Sequence, residues 1–181
     1  MSRYLKTALV LAAICAVAAV VLALMNMLTK PYIEAYEANK VTSALEQVSC
    51  GMTIGEREEV DEGYVQYMHR LTTSGKTTGY ILGLVSNGYG GQLTIVASYD
   101  ANGVVMAAKL IADSETPGLG KKAENDGYMD IFKGTGTADR PVPTKKGMLS
   151  DTDVATVSGA SMTFTGISKA LSSGSDFVKS L

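Results

Sequence analysis

Residues 7–29, TALVLAAICAVAAVVLALMNMLT, carry no ionisable side chain except the Cys15 thiol, and nothing else in the chain constrains the fold as strongly. As a helix rising ~1.5 Å per residue the run reaches roughly 34 Å, enough to cross a hydrocarbon core of about 30 Å. A cleaved signal peptide is the competing reading, but its apolar region would span only ~7–15 residues and end in a small-x-small site. No such site follows Leu24, and a lipoprotein signal fails because bulky Ile14 precedes Cys15. The run is therefore expected to be a retained anchor. Arg3 and Lys6 precede it with no acid nearby, whereas Lys30 is followed by Glu34 and Glu37. The positive-inside rule then puts the N-terminus in the cytoplasm and residues 30–181 outside a cytoplasmic membrane.

Of 181 residues, those left after the anchor suffice for one domain with its own core. The expected organisation is a cytoplasmic tip and transmembrane helix at 1–29, an amphipathic linker helix at 30–50 and a folded domain at 51–181. The outer part holds all 18 acids and 14 of the 16 Lys and Arg, so its formal charge is 14 − 18 = −4. It has neither a basic patch nor aromatics interleaved with cations, which argues against a nucleic-acid partner. Membrane lipid is the expected surrounding of the anchor. Cys15 lies in the span and Cys50 outside it, which rules out a disulfide framework or a cysteine-ligated cluster within the chain. Cys50 is expected to be a small buried hydrophobe, and the nine methionines membrane and core filler.

Ile33, Tyr36, Val41, Ala44, Leu45 and Val48 share one helical face after Pro31, with Glu34, Glu37, Lys40 and Glu46 elsewhere. The polar stretch 51–63 is expected to be a loop. Strands are expected at 64–70, 79–85, 92–99 and 103–111, with turns at Ser74-Gly75 and Asn102-Gly103. A helix is expected at 121–132 and another at 165–181, where Ile167, Ala170, Leu171, Phe177, Val178 and Leu181 recur at helical spacing although Gly174 weakens the middle. Helices flanking a run of hairpins predict an α+β domain: one twisted, mainly antiparallel sheet with helices packed on it, and no Rossmann alternation.

Three small-residue segments could serve a ligand. Residues 86–91, SNGYGG, are either a wide hairpin loop or a place where Tyr89 and Gly90 meet a ligand. Residues 115–120, ETPGLG, are either a Pro-Gly turn or a source of free N–H groups for a polar ring edge or phosphate oxygens. Residues 157–165, VSGASMTFT, place four hydroxyls ahead of the last helix. Thr163 or Thr165 could cap it, or its orphan N–H groups could hold a phosphate beside Gly159 and Ala160.

In this order the segments resemble the G subunit of the Rnf electron-transport complex and, more distantly, the C subunit of the Na⁺-pumping NADH:quinone reductase. The resemblance covers nearly the whole chain, and ETPGLG is its most specific motif. It implies an FMN-binding domain whose SGAT-type motif carries FMN as a phosphoester, installed outside the cytoplasm by a flavin transferase that uses FAD. The matching hydroxyl is Ser161, with Thr163 and Thr165 as fallbacks and noncovalent FMN as a further alternative. Ser158, Gly159, Ala160, Thr163, Tyr89, Gly90, Glu115, Thr116, Gly118 and Leu119 are the implied flavin contacts. Two departures stand out: the family has Thr where this chain has Ser161, and Asp where it has Ala155, with Asp153 two residues away. The implied role is electron transfer within a translocase that couples ferredoxin oxidation and NAD⁺ reduction to Na⁺ or H⁺ movement, alongside the other Rnf subunits. The rival is a scaffold of the same fold without flavin. His69, the one histidine, has no second ligand near it in sequence, and no nucleophile elbow, Walker loop or HExxH pair supports a hydrolase or nucleotidase.

Overall fold

The computed structural model describes residues 2–112, 122, 123 and 127–181, with backbone alone at 2 and 3. Helix α1 runs from Ser2–Val48 and passes through Pro31 without ending. The anchor and the expected linker helix are thus one element, because a proline removes a single hydrogen bond while the turns on either side retain theirs. Apolar side chains from Leu5 to Leu28 are exposed along it, as a lipid-facing surface requires. Exposed Tyr4 and Tyr32 bracket this surface. Twenty-eight residues of helix span ~42 Å, the depth of a bilayer with its headgroups, where tyrosine concentrates.

The chain forms two compact units, Met1–Val41 and Thr42–Leu181. The second is built on a five-stranded antiparallel meander: β1 Thr53–Glu62, β2 Val65–Thr73, β3 Lys76–Asn87, β4 Gln92–Asp100 and β5 Val105–Ala112, each paired with its neighbours in sequence. Strand β1 falls where a loop was expected. Its charges mark an edge strand, since acids along an open edge deter pairing with another chain. Glu58 reaches across to Arg70 on β2 (2.9 Å), and the Arg57 guanidinium lies 4.0 Å over the Tyr67 ring. The β2–β3 turn takes the left-handed conformation at both Ser74 and Gly75 (φ 52° and 79°), the primed geometry that suits two-residue hairpins. At the β4–β5 turn the Asp100 carboxylate accepts from the Asn102 and Val104 N–H groups, each at 2.8 Å.

Each face of the sheet is covered. On one face Leu82, Leu84, Leu93, Ile95, Ala97 and Tyr99 pack with Phe164, Ile167 and Leu171 of α3, Ser161–Ser180. On the other face Tyr67, His69, Leu71, Ile81, Val96 and Ser98 are buried, as are Ala44 and Val48 at the end of α1. Lys109 stands opposite Val96 in the ladder and donates to the Gln47 side chain, which fixes the last turn of α1 on this face. Of the amphipathic stripe expected along 33–48, Ala44 and Val48 are buried, whereas Ile33 and Tyr36 remain exposed.

Helix α3 approaches the sheet through Gly166, Ala170 and Gly174, one residue per turn. A Cβ at Gly166 would collide with the Asn87 carbonyl oxygen, and one at Gly174 with the Tyr99 hydroxyl. Gly174 is therefore required by close packing, even though glycine costs an exposed helix about 1 kcal/mol. Beneath it the Tyr99 hydroxyl donates to the Leu171 carbonyl at 3.1 Å.

Between β5 and α3 the described residues include the 3₁₀ helices Met129–Phe132 and Lys146–Met148 and helix α2, Asp151–Val157. Of the helix expected over 121–132, the final turn forms as 3₁₀ helix, following a left-handed Gly127. Cys50, expected to be buried, is exposed at φ 52° in the turn after α1, where the chain reverses into β1 and the side chain is turned outward. His69 holds the Gly55 carbonyl at 3.0 Å across β1 and β2, and its ring packs edge-on to Tyr67.

Candidate functional site

The β3–β4 loop and the start of α3 lie at the same end of the sheet. Buried Ser86 at the end of β3 donates to the Gly166 carbonyl at 2.9 Å. Gly166 also lies so close to Asn87 that no side chain fits between them. Beyond these residues the loop closes on itself through Gly88 N–H and the Gly91 carbonyl (2.8 Å) and carries Tyr89 outward, 74% exposed. Ser161 precedes Gly166 by five residues, or ~7.5 Å of helix. The loop that carries Tyr89 and Gly90 thus leaves the strand end that touches α3 at Gly166.

Helix α3 begins at Ser161 itself, four residues earlier than its apolar periodicity suggests. The turn from α2 explains the small residues of the SGAS segment. Gly159 takes φ 84°, a conformation that side chains disfavour, and Ala160 is buried as the N-cap residue, its N–H bonded to the Val157 carbonyl at 3.1 Å. No side chain caps α3, so Thr163 and Thr165 do not play the capping part expected of one of them. Thr163 is buried at 1% exposure, and the Thr165 hydroxyl donates back to the Ser161 carbonyl at 2.9 Å. Neither fallback hydroxyl is presented as Ser161 is, in the exposed first position of the helix. Below this turn Phe164 stacks on Phe132, centroids 5.8 Å apart, giving the N-terminus of α3 a packed floor.

Asp153 does not take the place of the aspartate missing at Ala155. It closes a capping pair with Ser150: the Ser150 hydroxyl donates to Asp153 Oδ2 at 2.7 Å and accepts from the Asp153 N–H at 3.2 Å. Two residues along a helix amount to a ~200° rotation, so positions 153 and 155 face different directions. Asp153 instead lines a hollow of about 190 Å³ with Arg140 and Met148. Glu115, Thr116, Gly118 and Leu119 lie outside the described residues. Lys122, two residues past the ETPGLG segment, donates from Nζ to the Ser158 carbonyl at 3.0 Å. It belongs to none of the three small-residue segments, so the sequence gives no reason to single it out.

The donor set suits a phosphorylated cofactor. It offers an exposed hydroxyl, a helix start whose leading N–H groups have no side-chain acceptor, a lysine ammonium close by, and an exposed tyrosine on the neighbouring loop. Residues 88–175 match the FMN-binding domain family, and residues 1–48 match the RnfG N-terminal region. Fold and site thus define the class: a membrane-associated protein with an FMN-binding domain. The chain is 30% identical over 148 residues to the G subunit of the ion-translocating oxidoreductase complex of Cereibacter sphaeroides, covering 76% of this chain and 67% of the relative. It is 28% identical over 196 residues to the G subunit of the Na⁺-translocating ferredoxin:NAD⁺ oxidoreductase complex of Acetobacterium woodii, covering 93% and 86%. A shorter match, 34% over 58 residues, is to the G subunit of the proton-translocating ferredoxin:NAD⁺ oxidoreductase complex of Clostridium ljungdahlii, covering 32% and 31%. The chain belongs to the G-subunit family of Rnf-type ion-translocating oxidoreductase complexes.

Proposed function

We propose that this chain is the electron-transfer subunit of an Rnf-type ferredoxin:NAD⁺ oxidoreductase complex and that its FMN is esterified to Ser161. The observation that carries the reading is the exposed Ser161 hydroxyl in the first, uncapped position of α3. Loading requires a flavin transferase and FAD. The Ser161 oxygen attacks the flavin-side phosphorus, the pyrophosphate P–O bond breaks, AMP leaves with the bridging oxygen, and the hydroxyl proton passes to solvent. The product is a phosphodiester carrying one negative charge, which the helix dipole favours at this end.

When bound, the flavin supplies one-electron transfer between neighbouring subunits; the protein fixes its position and surroundings. Tyr89 offers a ring face beside the site, and Ser86 ties that loop to α3. Electrons enter and leave through partner subunits, since ferredoxin and NAD⁺ chemistry belongs to the complex. The flanking charges support an N-terminus in the cytoplasm and a domain outside it, where a tethered cofactor is protected from loss by dilution. The domain boundaries that fit this reading are 1–29, 30–50 and 51–181, although the compact unit starts at Thr42.

The test is co-expression with a flavin transferase, followed by in-gel flavin fluorescence under denaturing conditions and mass spectrometry of the Ser161 peptide. Wild type should give a fluorescent band, Ser161→Thr should keep it, and Ser161→Ala should lose it. An unmodified peptide in the native complex would instead support the scaffold reading, in which serine in place of the family's threonine at position 161 abolishes flavin loading.

A further inference from the structure

The Lys122 ammonium is held at the attachment motif by a hydrogen bond of 3.0 Å to the carbonyl of Ser158, three residues before Ser161. Among the described residues no carboxylate pairs with it, in contrast to Lys30, Lys179, Arg57 and Arg70. The bond to Ser158 uses one of three ammonium donors. A compact turn separates that carbonyl from Ser161, because Ala160 N–H bonds back to the Val157 carbonyl at 3.1 Å. A cation with no carboxylate partner among the described residues is therefore held at the attachment turn, on a carbonyl three residues in sequence from the hydroxyl that would bear a phosphate.

We infer that Lys122 is a positioning residue for the flavin phosphate: it is the counter-charge of the Ser161 phosphodiester and draws the flavin-side phosphorus of FAD toward the Ser161 oxygen during loading. This rests on the reading of Ser161 as the attachment residue. A lysine suits the role because an ammonium acts on phosphate as a point charge, whereas a neutral donor at the same place would bond the Ser158 carbonyl without neutralising the ester.

Full-length wild type, Lys122→Gln and Lys122→Arg are loaded with FAD and the flavin transferase, the loading rate is read from in-gel fluorescence, and the ³¹P resonance of the ester is recorded on the loaded proteins. Gln retains a donor for Ser158 but removes the charge; Arg retains both. Loading should slow roughly ten-fold in Lys122→Gln, the scale of one charge-assisted hydrogen bond. The ³¹P resonance should move in the same variant, and both readouts should return close to wild type in Lys122→Arg. Equal rates and identical resonances in wild type and Lys122→Gln would overturn the role of Lys122 while leaving Ser161 as the attachment site. Equal losses in the Gln and Arg variants would also overturn it, since they would assign the lysine to packing. Wild type that stays unloaded while a known substrate of the transferase is loaded would instead reject the attachment reading itself.

Discussion

Tyr99 shows how much a single buried group can carry. Its ring is fully buried beneath Gly174, its hydroxyl bonds the Leu171 carbonyl in mid-helix, and burial pushes its phenol far above the ordinary tyrosine range. Tyr99→Phe leaves that carbonyl without its side-chain donor and should cost about 1–2 kcal/mol by urea titration. Above pH ~10 the phenol of the unfolded chain ionises while the folded one stays protonated. The raised folded value thus contributes stability that is fully present below that pH and is lost as the pH climbs toward the folded value. Denaturant midpoints from pH 9 to 11 should fall less steeply in Tyr99→Phe than in wild type. The residues of the candidate site differ in how far sequence exposes them. Ser161 is legible from its motif, and Gly159 from the turn that a glycine there implies. Lys122 is not, because its importance arises from a contact across 36 residues with a backbone carbonyl, and backbone acceptors leave no trace in composition.

At the scale of elements, helix α3 is both the main cover of one sheet face and the bearer of Ser161, so the way it seats on β3 and β4 sets the position of the site. Gly166 is the closest point of that seating, and its obstacle is a backbone carbonyl, which cannot rotate aside as a side chain can. Gly166→Ala gains about 1 kcal/mol in helix propensity but must lift α3 from Asn87, an overpacking cost of roughly 1–3 kcal/mol. A net fall of several degrees in Tm is expected by calorimetry. A null result would show that α3 can shift on the sheet without cost. Alternation in β2, the apolar run of β3 and the Asn-Gly turn between β4 and β5 made those strands legible, and the two expected hairpin turns formed. Strand β1 was obscured because its side chains are largely charged on both faces, the pattern of an edge that must remain soluble. Helix α2 is seven residues long and has one buried side chain, Val157, so it has almost no apolar period to read.

For the whole molecule, the unit Thr42–Leu181 includes the last turns of α1, which bury Ala44 and Val48 and meet Lys109 of β5 through Gln47. A chain lacking residues 1–37 should therefore be soluble and fold cooperatively. One lacking residues 1–50 loses buried Ala44 and Val48 and uncovers Tyr67, Ile81 and Val96. It should be less stable by roughly 2–4 kcal/mol and bind a hydrophobic dye, measured by thermal melts and ANS fluorescence. Equal stability of the two truncated chains would show that α1 serves as an anchor and nothing more. The match to the FMN-binding domain family begins at residue 88, so β1, β2 and β3 lie outside it, although they form the platform on which the matched part rests.

Taken alone, the sequence determined the membrane helix, the antiparallel hairpins and the order of the glycine and serine segments, because hydrophobic length, period-two alternation and turn chemistry are local properties. The tertiary structure decided that α1 continues past Pro31 to bury Ala44 and Val48 in the folded unit, that α3 starts at Ser161 with Thr163 buried and Thr165 turned back on the helix, that Asp153 pairs with Ser150, the N-cap of α2, and that Lys122 reaches Ser158. Each of these depends on which surface is already occupied when an element packs, and that is set by residues distant in the chain.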